Sequence, residues 1–178
     1  INISKKEEIG KLATDYIENG DIIFIGASTT NECLLKNIKN KRIRIITNSF
    51  YIFEQYKGNK NFELILTGGA WREKSGAFIG EITDRILSEI KVDKSFIGAN
   101  GIKDNNVTNS NKEEASLQEI IMKNSQKNYV LIDSNKFDLK DLYTFYPTDK
   151  IDVIITDSRL SPDIKKKYEK YTKVINTF

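Results

Sequence analysis

Three short stretches of this chain carry residues able to hold an anion, and none of them contains a histidine. The first, Gly26-Ala27-Ser28-Thr29-Thr30, follows the apolar run Ile22-Ile23-Phe24-Ile25 and precedes apolar residues at helical spacing. A helix starting at Thr29 or Thr30 leaves its first amides unpaired and partly positive, so small residues at 26–28 admit an anion to the backbone. Ser28, Thr29 and Thr30 add hydroxyl donors. Thr29 and Glu32 also spell a T-x-x-E capping box, the ordinary structural use of the same residues. The stretch is neither the glycine fingerprint of a dinucleotide site nor a Walker loop.

The second stretch, LTGGAWREKSGAFIG, sets Gly68-Gly69 after an apolar run and Trp71-Arg72-Glu73-Lys74 before Gly76. It reads either as a long solvated loop or as a mobile flap bringing Arg72 or Lys74 to a ligand. The third, LIDSNKF, ends an apolar run with Asp133, Ser134 and Lys136. Asp133 can cap a turn, while Lys136 at the carboxyl end of a strand is placed to neutralise phosphate.

Composition narrows the chemistry. With no His and the single Cys33, the commonest general base and the commonest metal ligands are missing, so neither a metal nor a cofactor is expected. A lone Cys33 cannot form an internal disulfide, and a reducing cytoplasm is the expected setting. Lys and Arg number 28 against 25 Asp and Glu, a net charge of +3 that is interspersed along the chain. The densest basic runs, KNIKNKRIR and DIKKKYEKYTK, read as solvated helix ends, not as a nucleic-acid surface. No apolar run reaches membrane-spanning length, and the start lacks a signal-peptide pattern.

The elements that position these stretches follow from periodicity. A length of 178 residues fits one domain, 1–178, with a substantial core. Strand-length runs rich in Ile and Val recur as DIIFIG, IRIIT, FELILT, KSFIGA, YVLID, DVIIT and KVIN, mostly continuous, as strands covered on both faces require. Helices are predicted between them. Residues 4–18 place Ile9, Leu12, Ala13, Tyr16 and Ile17 on one face, with Asn19-Gly20 as a C-cap. Residues 29–38, about 49–57, 79–90 and 112–125 alternate with the strands, and Ser161-Pro162 reads as an N-cap and first helical position. The expected fold class is α/β, an open, largely parallel, Rossmann-like sheet with helices on both faces. In such sheets ligands sit at the carboxyl ends of the strands, where GASTT, TNS, TGGAWREKSGAFIG, GANGI and DSNKF all fall.

In this order these segments resemble the effector-sensing C-terminal domain of the DeoR family of bacterial transcriptional repressors. The resemblance rests on Gly26-Ala27-Ser28-Thr29-Thr30, Thr47-Asn48-Ser49, Gly68-Gly69 with Arg72 and Gly80, Gly98-Ala99-Asn100-Gly101-Ile102, Glu114-Ala115 and Asp133-Ser134-Asn135-Lys136-Phe137. It implies a fold akin to ribose-phosphate isomerases and CoA transferases, and a phosphorylated sugar as effector. The implied ligand set is Gly26 to Thr30, Asn48, Ser49, Gly68, Gly69, Arg72, Asn100, Glu114 and Lys136, with Asn48, Asn100 and Glu114 orienting sugar hydroxyls. The family's N-terminal winged helix-turn-helix is absent, so the chain is expected to be a fragment. Operator DNA would be bound only through that missing part, and the family suggests a dimer or tetramer.

Two departures bear on activity. Gly26 stands where the family has its first Asp, and Asn100 where it has the Asp of G-A-D. The related isomerases carry a D-G-A-D cluster whose carboxylates move protons; Ile97-Gly98-Ala99-Asn100 offers no such pair. The expectation is a site that holds its ligand without turning it over. The alternative is an isomerase, deaminase or CoA-transferase-like enzyme using Glu114 and Lys136.

Overall fold

The computed structural model describes residues 3–178. In chain order it contains α1 (Ile3–Thr14), β1 (Ile22–Ile25), a 3₁₀ helix (Asn31–Asn37), β2 (Ile43–Thr47), α2 (Phe50–Tyr56) and β3 (Phe62–Leu66). There follow β4 (Ala70–Arg72), β5 (Ala77–Ile79), α3 (Glu81–Ser88), β6 (Val92–Ile97), β7 (Gly101–Lys103), β8 (Asn106–Asn109) and α4 (Lys112–Lys123). The last third holds β9 (Ser125–Leu131), a short 3₁₀ turn (Ser134–Lys136), β10 (Tyr143–Tyr146), β11 (Val153–Ile155), α5 (Pro162–Glu169) and β12 (Lys173–Ile175).

All seven Ile- and Val-rich runs are strands of one parallel sheet, ordered β12-β11-β9-β6-β1-β2-β3. Their continuous apolar character has the expected cause. Alternate residues of the inner strands enter two separate cores: Phe24, Ile46, Ile97 and Val130 on one face, Ile23, Ile45, Phe96 and Leu131 on the other. The edge strand β3 packs on one face only, leaving Glu63 and Ile65 exposed. The first core is closed by Leu87 of α3, Leu117 and Ile121 of α4 and Tyr168 of α5. The second is closed by Ile9 and Leu12 of α1, Leu34 of the 3₁₀ helix and Ile52 of α2.

From β1 the chain walks outward to β2 and β3, then returns to pair β6 on the other side of β1 and walks away through β9 and β11. The reversal between β1 and β6 opens a crevice at the carboxyl ends of these two strands, where an open α/β sheet places its ligands.

Several local expectations are corrected. α1 ends at Thr14, not Asn19-Gly20, because the Thr14 hydroxyl donates to Leu34 O at 2.9 Å and ties the helix end to the 3₁₀ helix. Gly20, at φ +88, instead turns the chain into β1 and donates to Arg42 O. Midway along α1, Gly10 is pressed so closely on Cys33 that a Cβ would stand 2.7 Å from its carbonyl oxygen. Residues 70–79 are not an open loop but an antiparallel hairpin, with Lys74 exposed at its tip. A second small sheet, β10-β8-β7, escaped the sequence reading altogether.

Candidate functional site

The segments after β1, β6 and β9 converge on a cavity of about 210 Å³ at the crevice mouth. Ser28, Thr29, Thr30, Gly98, Ala99 and Lys136 line it, together with Asp133, Leu131 and Lys6 of α1.

The segment after β1 departs from the predicted helix start. Thr30 is αR and makes no side-chain cap, so the Thr29–Glu32 capping box does not form, and the helix that follows is 3₁₀, not α. Ser28 does the capping: its hydroxyl oxygen accepts from Asn31 N at 2.9 Å and its carbonyl from Glu32 N at 3.1 Å. The amides of Ser28, Thr29 and Thr30 find no acceptor among the described residues. Beneath them Asn31, fully buried, donates through Nδ2 to Gly26 O at 2.8 Å and Phe96 O at 3.0 Å. This single amide braces β1 to β6 where the two strands end. Its Oδ1 is buried without a partner among the described residues.

The loop after β6 packs tightly on this corner. A Cβ at Gly98 would come within 2.9 Å of Ser28 Cβ, so only glycine lets the two loops approach so closely. The Gly98 carbonyl accepts from Gln118 Nε2 of α4 at 2.8 Å.

Lys136 is half-buried on the 3₁₀ turn after β9. Desolvation pushes its ammonium below the ordinary lysine value; Asp133 opposes this, and Lys6 adds to it. Asp133 accepts from Asn135 N at 2.8 Å and pairs with the buried Lys5 of α1 at 3.7 Å. Asp157, fully buried after β11, accepts the Ser134 amide and hydroxyl and so fixes the turn that carries Lys136.

The remaining predicted residues do not line this cavity and are engaged in other roles. Gly26 is buried at the end of the strand ladder, and its amide donates to Phe96 O. Asn48 is also buried: Oδ1 accepts from Ala27 N at 3.1 Å and Nδ2 donates to Phe78 O at 3.0 Å. Both ends of its amide are thus engaged by protein. Ser49 caps α2, accepting from Ile52 N. Gly68 and Gly69 enter the hairpin at φ +65 and +129, and a Cβ on Gly69 would lie 2.1 Å from the Thr83 hydroxyl. Arg72 ends β4 and pairs with Glu114 of α4 at 3.3 Å, one helical turn from Gln118. Asn100 is exposed beside Ala99; its Oδ1 accepts from Ser110 N at 3.0 Å.

Lys5 and Lys6 were missed in the sequence. The signal was there for Lys5, which precedes Ile9 by one turn and so falls on the apolar face of α1. A lysine on that stripe is buried against something, here Asp133. No group of three or more ligating side chains able to hold a metal occurs among the described residues, and no described helix is long and apolar enough to cross a membrane.

Comparisons with known proteins agree on family and fold. The family model for the DeoR C terminal sensor domain matches residues 1–158. The lactose phosphotransferase system repressor of Lactococcus lactis subsp. lactis is 35% identical over 178 residues, covering 98% of this chain and 70% of that protein. The repressor of the same name from Staphylococcus epidermidis strain RP62A is 36% identical over 176 residues, again covering 98% and 70%. Among solved structures, ribose 5-phosphate isomerase A from Methanocaldococcus jannaschii superposes with a TM-score of 0.55 at 19% identity, covering 77% of this chain and 55% of that one. The translation initiation factor eIF-2B of Pyrococcus horikoshii OT3 gives 0.58 at 17% identity, covering 85% and 62%. At these identities the two structures show the fold alone, and the chain spans less than two thirds of either.

Proposed function

The chain belongs to the DeoR C-terminal sensor-domain family, and from that premise we propose that its crevice cavity holds the phosphate of a phosphorylated sugar. One observation carries the reading. Three consecutive amides, those of Ser28, Thr29 and Thr30, lack acceptors among the described residues, and these three residues line a cavity with Lys6 and Lys136. Unpaired amides are free to donate to a ligand, and phosphate oxygens accept several charge-assisted bonds at once.

Ser28, Thr29, Thr30, Lys6 and Lys136 take the phosphate. Asn31, Asn48 and Asp157 hold the loops that present those groups, and Gly26, Ser49, Gly68 and Gly69 serve the backbone around them. Asn100, with Arg72 at the end of β4 and Glu114 in the first turn of α4, supplies the polar rim toward which the sugar extends. The curated relatives are named for a lactose phosphotransferase system, which makes hexose and ketohexose phosphates the first ligands to test. In the longer protein, ligand binding would shift operator binding by an N-terminal DNA-reading part, within a homodimer or homotetramer in the cytoplasm.

The site is a holder and not a catalyst. Ile97 and Asn100 offer no carboxylate to move a proton, and the Glu114 carboxylate is engaged by Arg72. Calorimetry against hexose and ketohexose 6-phosphates, followed by product analysis of the same mixtures, tests both statements. Saturable binding without product is expected. Turnover exceeding that of a Lys136→Ala control would replace the sensor with an enzyme.

A further inference from the structure

We propose that an anion in the crevice cavity fastens the first turns of α1 to the sheet through Lys6, making α1 the element that reports occupancy. The inference rests on the phosphate reading of that cavity and concerns what binding does to the protein.

The two halves of α1 are held by different forces. From Ile9 onward the helix is fixed by packing: Ile9, Leu12 and Ala13 are buried, Gly10 lies against the Cys33 backbone, and Thr14 bonds Leu34. Ahead of Ile9 the helix makes polar contacts. Lys5 pairs with Asp133 at 3.7 Å, Glu8 accepts from Ser158 N at 2.8 Å, and Lys6 faces the cavity.

Charge in that corner is unbalanced. Among the described residues Asp133, which pairs with Lys5, is the one carboxylate that lines the cavity with Lys6 and Lys136. Glu32 also attracts Lys6, yet Lys6 stands close enough to Lys136 to depress that ammonium. With no anion, repulsion works against keeping Lys6 close. A phosphate carrying close to two negative charges reverses the sign of that interaction. It links Lys6 on α1 to Lys136 after β9 and to the amides after β1, so the helix start gains a tie to two separate parts of the sheet. Other groups of the cavity sit on loops already pinned by Asn31, Asn48 and Asp157. Lys6 is the cavity cation that belongs to a helix start held by polar contacts.

Hydrogen exchange of the purified chain tests this, with inorganic phosphate as probe against chloride at matched ionic strength and calorimetry in parallel. The amides of Glu7 to Gly10 close the first helical turns and are the reporters. Phosphate should slow their exchange by about threefold or more, an effect lost in Lys6→Gln and retained in Lys6→Arg. Binding by calorimetry with unchanged exchange in α1 overturns the inference and leaves the phosphate site standing. Protection that persists in Lys6→Gln also overturns it, since the tie would then run elsewhere. Failure of both inorganic phosphate and hexose 6-phosphates to bind removes the site and the inference together.

Discussion

The carboxylate of Asp157 accepts two hydrogen bonds from Ser134, from the amide at 2.8 Å and from the hydroxyl at 2.9 Å. A third comes from Arg159 N at 3.0 Å. Asp157 is fully buried, so this residue, two positions after β11, sets the height of the turn that carries Lys136. Asp157→Ala strands three donors and should lower stability by about 2–3 kcal/mol, since bonds to charged groups contribute more than neutral ones. Urea denaturation reads the loss. Phosphate affinity should fall with it, even at temperatures where the variant stays folded.

Charge recognition predicts a wide gap between phosphorylated and free sugars. Lys6→Gln and Lys136→Gln should each weaken sugar-phosphate binding about tenfold or more, the scale of one charge-assisted hydrogen bond. Free sugars should be nearly indifferent to either change. Equal calorimetric affinity for a sugar and its phosphate contradicts the assignment.

The pH profile of binding should have two limbs of different origin. Burial and Lys6 set the Lys136 ammonium below the ordinary lysine value, so its charge is lost earlier on the alkaline side than that of an exposed lysine. Affinity should therefore decline before pH reaches about 10.4, the unperturbed lysine value. On the acid side it should decline near pH 6, where the phosphate takes up its second proton. Lys136→Arg, whose charge does not titrate in this range, should keep the acid limb and move the alkaline one to higher pH.

Crowding between loops gives a steric prediction. Gly98→Ala puts a methyl group 2.9 Å from Ser28 Cβ, where both loops are close-packed. The loop after β1 must shift, and with it the unpartnered amides of Ser28 to Thr30. Binding should fall by about tenfold or more, as misplacing ligand-binding groups by even an ångström is expensive. Calorimetry measures the loss, and a far-UV dichroism spectrum checks that the sheet is intact.

Away from the cavity, Asp138 accepts from Lys167 Nζ at 2.8 Å and from the Tyr168 hydroxyl at 2.6 Å. The Lys167 bond first, then the Tyr168 bond, holds its carboxyl below the usual aspartate range. Burial, with Asp138 second, pushes the Tyr168 phenol up to about 12. A carboxylate depressed on folding contributes stability that is present above the unfolded value of about 3.9 and fades as pH falls through the folded one. Thermal melts across that window should drop more steeply for the natural chain than for Asp138→Asn.

Much of the architecture was legible because parallel strands buried on both faces need unbroken runs of Ile and Val. DIIFIG, IRIIT and YVLID have no other ready use. The small β10-β8-β7 sheet was opaque for the opposite reason. Gly101–Lys103 and Asn106–Asn109 are short and polar, and their turn depends on Asp104 at φ +52, which no pattern announces. The site divides the same way. Ser28, Thr29, Thr30 and Lys136 could be found because strand ends in this topology are where ligands bind. That Asn48 is spent on Ala27 and Phe78, and that Lys6 arrives from a distant helix, are facts of tertiary packing. The 3₁₀ geometry of Asn31–Asn37 likewise overrode an apolar spacing that suited an ordinary α-helix.

At Gly10 only hydrogen separates α1 from the Cys33 carbonyl, so the helix and the 3₁₀ segment meet backbone to backbone there. Lys6 lies four residues before this contact, about 6 Å along the axis at 1.5 Å per residue. A pull on its ammonium thus acts at a lever arm from the nearest clamped point of the helix and leaves the packed half in place.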